Sequence, residues 1–144
     1  AHPNAITFEG LGKAALWSIN YDRAFSDYFA FGVGFSYLIL GLWETSTNIY
    51  IFPAYFNFSP NRGNHRLLLT AGAELGVAEV RTTNATSSAN TSSTGFSFMP
   101  FASVGYEWRT EVGFLLRGQL YGILSLASVV SLTPWIGLSL GWAF

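Results

Sequence analysis

The stretch that decides the fold is residues 134–144, which read Pro-Trp-Ile-Gly-Leu-Ser-Leu-Gly-Trp-Ala-Phe. Successive side chains of a β-strand point to opposite faces, so this stretch has two different surfaces if it is a strand. The apolar surface consists of Pro134, Ile136, Leu138, Leu140, Trp142 and Phe144. The other surface includes Gly137, Ser139, Gly141 and Ala143. A strand that faces lipid on one side and a confined interior on the other is expected to alternate in this way.

The composition favours a membrane protein and excludes several classes of function. Of the 144 residues, 50% are hydrophobic, 17% aromatic and 10% charged, whereas charged residues make up about 25% of a typical soluble domain. The net charge of −1 gives no reason to expect nucleic acid as a partner. The absence of cysteine excludes a disulfide framework and a thiol nucleophile. The histidines, His2 and His65, do not form a pair at metal-ligand spacing, so neither a metal nor a cofactor is predicted.

A helical membrane protein is the main alternative fold. The segment from Leu120 to Leu140 contains no charged residue and is long enough to cross a bilayer as a helix. Glycine and serine recur at alternating positions in this segment, and Pro134 interrupts it. Both features disfavour a helix, so the strand interpretation is preferred.

The alternation continues along the chain and predicts eight strands. Divided among eight strands, the length leaves about 18 residues for each strand and its connection, which suits transmembrane strands of about 9–11 residues. The predicted strands are Asn4–Glu9, Ala14–Tyr21, Asp27–Leu40, Asn48–Phe58, Leu67–Val77, Phe96–Trp108, Val112–Leu124 and Pro134–Phe144. The predicted fold class is all-β: one domain, residues 1–144, folded as an eight-stranded antiparallel up-and-down transmembrane β-barrel.

The predicted connections include both tight turns and longer loops. Gly10–Gly12 and Tyr21–Ser26 are expected to be tight connections, and Lys13 is expected to face outward near the extracellular rim because it has the parity of Trp17. The Ser/Thr-rich run Thr82–Gly95 cannot bury apolar surface and is expected to be a long, mobile loop. The predicted extracellular contact surface consists of the loops Trp43–Asn48, Thr82–Gly95 and Ser125–Thr133.

The layout resembles the small eight-stranded β-barrels of Gram-negative outer membranes. The last strand carries the resemblance in detail, together with residues 16–23, 53–58 and 63–66. The resemblance implies a location in the outer membrane, a leader peptide already removed, and lipid and lipopolysaccharide as partners. It also implies that the barrel-assembly machinery reads Phe144, Trp142 and Leu140 as an assembly signal, and that the protein is a monomer.

Few charged residues fall on inward positions, and these predict an ionic network in the lumen. Arg117 is expected to lie among Glu74 and Glu107, with Glu9 nearby, because buried charges are tolerated when they are paired. Three polar side chains are expected beside this network, those of Asn20, Gln119 and Tyr121. The network is predicted to plug and order the lumen.

The function that these features favour is a non-enzymatic, structural or surface-interaction role. A narrow, porin-like channel or a barrel that binds a small molecule or lipid is the first alternative. A lipid A-modifying enzyme is the second, because one family of eight-stranded barrels deacylates lipid A. In that family a nucleophilic serine and a histidine lie two residues apart late in the chain, whereas Leu120 and Gly122 occupy the comparable places here. The catalytic pair is therefore missing, and no enzymatic activity is predicted.

Overall fold

The computed structural model describes residues 3–42, 45–83, 90–125 and 130–144, and its strands close into a barrel. The strands in the described residues are β1 (Asn4–Gly12), β2 (Ala15–Ala24), β3 (Phe29–Leu42), β4 (Thr45–Phe58), β5 (His65–Thr83), β6 (Asn90–Arg109), β7 (Phe114–Ser125) and β8 (Ser131–Ala143). Each strand pairs antiparallel with its neighbours in sequence, and β1 pairs with β8 to close the barrel. The predicted fold class is confirmed.

Closure explains how this chain meets the hydrogen-bonding demands of a bilayer. Lipid offers no partner to a backbone N–H or C=O, so a spanning sheet must have no edge within the hydrocarbon. The pairs Ala5↔Ala143 to Gly10↔Leu138 join the first and last strands. The helical alternative is wrong, because the described part of the chain between residues 120 and 140 lies in β7 and β8. Within the described residues, no helix is long and apolar enough to cross a membrane.

The two faces of the barrel differ as the alternation predicted. Outward side chains of β8 are exposed, with Leu140 at 52% and Trp142 at 50% of their full exposure, whereas Ser139 is 2% exposed. The other strands follow the same pattern, with apolar residues such as Phe56 and Leu120 outside. An apolar exterior around a polar interior is the reverse of a water-soluble domain and is the arrangement of a transmembrane barrel.

The first hairpin differs from its prediction. β1 runs to Gly12 and β2 begins at Ala15, so the turn consists of Lys13 and Ala14 and not of residues 10–12. Lys13 is 2% exposed and points into the barrel, so the predicted outward orientation is wrong. Strand parity does not continue through a turn, and counting back from Trp17 therefore assigned Lys13 to the wrong face.

The second strand also extends further than its prediction. β2 continues to Ala24, and the connection to β3 covers residues 25–28. The predicted turn Tyr21–Ser26 is therefore displaced towards the C-terminus. As a consequence Asp22 lies in the strand, has the parity of Asn20, and is buried at 3% exposure.

The short turns after β2, β4 and β6 lie at the end of the barrel that carries both termini, which is the periplasmic end of such barrels.

At the opposite end of the barrel, β3, β4, β5 and β6 extend beyond the other strands as one sheet, here called the tall sheet. β3, β4, β5 and β6 remain paired up to Leu42↔Thr45, Thr45↔Thr82 and Thr83↔Asn90. Much of the predicted loops Trp43–Asn48 and Thr82–Gly95 therefore forms strands, because Ser and Thr can pair through their backbones without burying apolar surface. Residues 131–133 of the third predicted loop belong to β8. Residues 43–44, 84–89 and 126–129 lie outside the described residues.

Candidate functional site

The candidate site is the lumen, and its lower cluster of charges lies towards the periplasmic end. Strand register places Arg66 opposite Glu107 and Glu107 opposite Arg117, so three charged residues on adjacent strands face inward at one level. Arg117 donates from Nε to Glu107 and from Nη1 to Asp22. Arg109 Nη2 lies 3.1 Å from Glu107 Oε1. Because β2 and β7 are not adjacent strands, the bridge between Asp22 and Arg117 crosses the lumen.

An upper cluster is built around the turn between β1 and β2. Lys13 forms an ion pair with Glu9 through its ammonium group, and its backbone N–H donates to Glu9 Oε1 at 2.6 Å. Ser139 Oγ donates to Glu9 Oε2 at 3.1 Å. The Lys13 ammonium also lies 4.5 Å from the centre of the Tyr55 ring, a favourable cation–π distance. The first turn is therefore anchored inside the barrel by a buried, hydrogen-bonded ion pair.

A middle layer of neutral polar groups lies between the two clusters and is hydrogen-bonded to the upper one. Gln119 Nε2 donates to Thr70 Oγ1 at 3.0 Å and to Ser103 Oγ at 2.9 Å. The Tyr121 hydroxyl donates to Gln119 Oε1 at 2.8 Å and lies 3.2 Å from Glu9 Oε2. Tyr55, Phe101 and Tyr121 pack together at this level. These side chains thus occupy the interior at this level, as expected for a barrel of eight strands.

The structure separates the residues that were predicted to form one network. Glu107 contacts Arg117, but Glu9 belongs to the upper cluster. Glu74 is 2% exposed, and the charges that act on it are those of Lys13 and Glu9. Asp22 occupies the place beside Arg117 that was predicted for Glu74. The register between β5 and β6 explains why Glu74 does not reach Arg117. Glu74 is opposite Met99 and therefore lies above the level of Glu107.

The predicted polar neighbours and the residues that sequence reasoning missed also lie in the interior. Asn20, Gln119 and Tyr121 are all buried, and Asn20 Nδ2 donates to Ser18 Oγ at 3.0 Å. The charged residues of the two clusters that sequence reasoning missed are Asp22, Lys13, Arg66 and Arg109. Asp22 shares the parity of Asn20, so a longer second strand would have identified it. Lys13 carried no sequence signal, because its direction depends on how the turn folds.

His65 and the position comparable to the deacylase nucleophile both lie on the outer face of the described barrel. His65 begins β5 and its Nδ1 is hydrogen-bonded to the Tyr106 hydroxyl on the outer face, away from the lumen. The described residues contain no group of three or more His, Cys, Asp or Glu side chains that could hold a metal ion. Leu120 faces outward at 56% exposure, where the resembling deacylases would need a catalytic side chain.

Comparisons with known proteins agree with this geometry at the level of the fold. No family model matches the sequence, and no curated protein matches it. Solved structures do match. The N-terminal β-barrel domain of OprF from Pseudomonas aeruginosa has 17% identity and a TM-score of 0.65, covering 98% of this chain and 96% of that one. The chain has the fold of an eight-stranded outer-membrane barrel.

Two further structures are similar in the same way. Ail, the attachment invasion locus protein of Yersinia pestis, has 17% identity and a TM-score of 0.55, covering 98% of this chain and 93% of that one. Neisserial surface protein A has 12% identity and a TM-score of 0.58, with the same coverage of 98% and 93%. The predicted location in a Gram-negative outer membrane agrees with this fold and with the apolar exterior of the barrel.

Proposed function

We propose that the protein is a non-enzymatic barrel of the outer membrane with a structural and surface-contact role, and that paired charges close its lumen. The observation that supports closure is the bridge from Asp22 through Arg117 to Glu107, which joins strands that are not adjacent. A charged group at the centre of a narrow lumen is stable there because its partners are held on both sides. An open aqueous path would need this bridge to separate.

The tall sheet supports the surface-contact part of the proposal. Pairing of β2 with β3 ends at Ile19↔Phe35, and pairing of β7 with β6 ends at Phe101↔Ile123. Above these levels, residues 36–42 of β3 and residues 91–100 of β6 have no second strand partner in the described part of the chain. An edge strand with unpaired N–H and C=O groups can accept an extended segment of another protein. Residues 91–95 of β6 are the better candidate because this part of the edge is polar and suited to water.

The names of the similar structures fit this proposal. One similar protein is called an attachment invasion locus protein and another a surface protein. The exposed apolar side chains around the outside of the barrel are proposed to contact lipid and lipopolysaccharide. We retain Phe144, Trp142 and Leu140 as the proposed signal for the assembly machinery, and a monomer as the proposed state.

The first experiment distinguishes a closed barrel from a narrow channel. Purified protein is inserted into planar bilayers, and single-channel current is recorded for the wild type and for Arg117→Gln. We expect no steady current from the wild type, because the bridge across the lumen excludes a water column. Steady wild-type openings whose conductance changes in Arg117→Gln would instead support the channel alternative.

The second experiment tests the surface-contact role. In the variant, residues 79–94 are replaced by Asn-Gly, a sequence that favours a tight hairpin between Ala78 and Gly95. Adherence of expressing cells to surfaces coated with extracellular-matrix proteins is compared with that of cells expressing the wild type at equal surface level. We expect adherence to fall to the level of cells without the protein. Wild-type adherence of the shortened variant would contradict a role for the hairpin.

A further inference from the structure

The periplasmic end of the barrel encloses a cavity, here called the vestibule, whose floor is the lower charge cluster. Its volume is ≈ 660 Å³, and its walls come from the three short turns and the ends of the adjoining strands. Pockets that bind small molecules commonly have about 300–1,000 Å³. The proposed surface role makes no use of this space.

The inward charges at the vestibule include one cation in excess. Among the described residues, Arg66, Arg109 and Arg117 face Asp22 and Glu107 here. Asp22 and Glu107 are bonded to Arg117, and Glu107 also to Arg109. The hydrogen bond of Arg66 runs from Nε to the Gly63 carbonyl at 2.9 Å, and no carboxylate lies within ion-pair distance of Arg66 in the described residues.

The charges at the rim do not remove this excess from the interior. Arg62 and Asp27 form an exposed pair at 2.9 Å, which is neutral as a unit. Glu111 also lines the vestibule, but it lies on the exposed turn between β6 and β7, where water screens its charge. The guanidinium of Arg66 is half-buried and therefore keeps more of its electrostatic influence on the vestibule.

A buried donor beside the same cavity provides a second, independent observation. Asn57 lines the vestibule and is 4% exposed. Its Oδ1 accepts a hydrogen bond from Thr70 Oγ1 at 2.7 Å, which fixes the orientation of the amide. Its Nδ2 has no hydrogen-bond partner among the described residues. A buried amide N–H without a partner is costly, so an oxygen supplied by a ligand would be stabilised here.

We propose that the vestibule is a binding site for a small anion that carries a carboxylate or phosphate group. The Arg66 guanidinium binds the anionic oxygens, and Asn57 Nδ2 donates a hydrogen bond to the bound molecule. Arginine suits this role because its planar donors match the geometry of both groups. The chemistry is shared by a soluble periplasmic anion and by the phosphate of an inner-leaflet lipid headgroup, and the experiment separates these sources.

The test uses the full chain in nanodiscs made of phosphatidylcholine. Inorganic phosphate and acetate are titrated separately, and binding is followed by the NMR signals of the Arg66 Nε–H and the Asn57 side-chain amide. We expect a saturable shift at both signals with at least one of these probes. In discs that contain phosphatidylglycerol, the same shift without added anion would identify a lipid headgroup as the source.

Three variants and a matched control decide whether the site is specific. Arg66→Gln should weaken binding by about tenfold or more, the scale of one charge-assisted hydrogen bond, whereas Arg66→Lys should retain most of it. Asn57→Asp should abolish binding, because it replaces the donor by a negative charge. Arg23→Gln is the control, since Arg23 lies near the same end but faces outward. Absence of saturable binding with every probe, or equal weakening by Arg23→Gln and Arg66→Gln, would overturn the proposal.

Discussion

At the scale of single residues, the space in the lumen is set by glycines as much as by charges. A Cβ atom added at Gly32 would overlap with Asp22 Oδ1 and with the tip of the Tyr55 ring. Asp22 is ion-paired with Arg117, and the Tyr55 ring lies beside the Lys13 ammonium group. A methyl group at this position would therefore displace members of both charge clusters.

The corresponding prediction compares two glycine substitutions. Gly32→Ala should lower the free energy of unfolding by about 1–3 kcal/mol, the usual cost of overpacking an interior. Gly10→Ala is the control, because no atom lies within 4 Å of a Cβ built there, and it should change the value by no more than about 0.5 kcal/mol. Urea unfolding in lipid vesicles, followed by tryptophan fluorescence, measures both. Equal effects of the two substitutions would show that Gly32 is not tightly packed.

At the scale of an element, the turn of the first hairpin folds into the extracellular side of the lumen. Gly12, Lys13 and Ala14 are all buried, whereas Leu11 before them is exposed and adopts a φ of 52°. Few non-glycine residues take this conformation. The bend directs the following turn inward, and the ion pair between Lys13 and Glu9 holds it there. The hairpin is thus part of the filling of the barrel rather than an extracellular loop.

This arrangement predicts the reactivity of the only lysine in the sequence, Lys13. In folded protein its ammonium group is buried and paired, so an amine-reactive ester should label it at least about tenfold more slowly than in urea-unfolded protein. Peptide mass spectrometry measures the labelled fraction, and the amino terminus serves as the internal control for reagent activity. Rapid labelling of Lys13 in the folded state would restore the outward orientation that the sequence suggested.

At the scale of the whole molecule, stability depends on closure between the first and last strands. Within a bilayer every strand must be paired on both sides, since an unsatisfied backbone group there costs on the order of several kcal/mol. Ile6 is paired with Tyr21 of β2 and with Trp142 of β8, so it lies at the seam of the barrel. A residue without an N–H at this position would remove one hydrogen bond that neither lipid nor water can replace.

The importance of this seam is tested by comparing the gel migration of unboiled and boiled detergent-solubilised protein. The wild type should migrate differently in the two samples, because a closed barrel resists unfolding by detergent without heat. Ile6→Pro should lose this difference, and Ile6→Val should keep it, since valine preserves both the backbone donor and the apolar outer face. A normal heat shift for Ile6→Pro would mean that the seam does not determine the stability of the barrel.

What the sequence by itself determined is the class of fold and the direction of most side chains within strands. Alternation is a local property, because the chirality and pleat of a strand fix the face of each residue from its neighbours. For this reason the alternation alone assigns Leu140 and Trp142 to the outer face and Gln119 and Tyr121 to the inner face. The small residues of β8 likewise indicate a confined interior.

What only the tertiary structure decided is which inward residues meet. The ion pair of Arg117 with Asp22 depends on the stagger of strands around a closed barrel, and the height of Glu74 depends on its register with β6. The direction of Lys13 depends on a turn, where strand parity no longer applies. The first two are relations between distant parts of the chain, so the physical information that determines them is not contained in any local stretch of sequence.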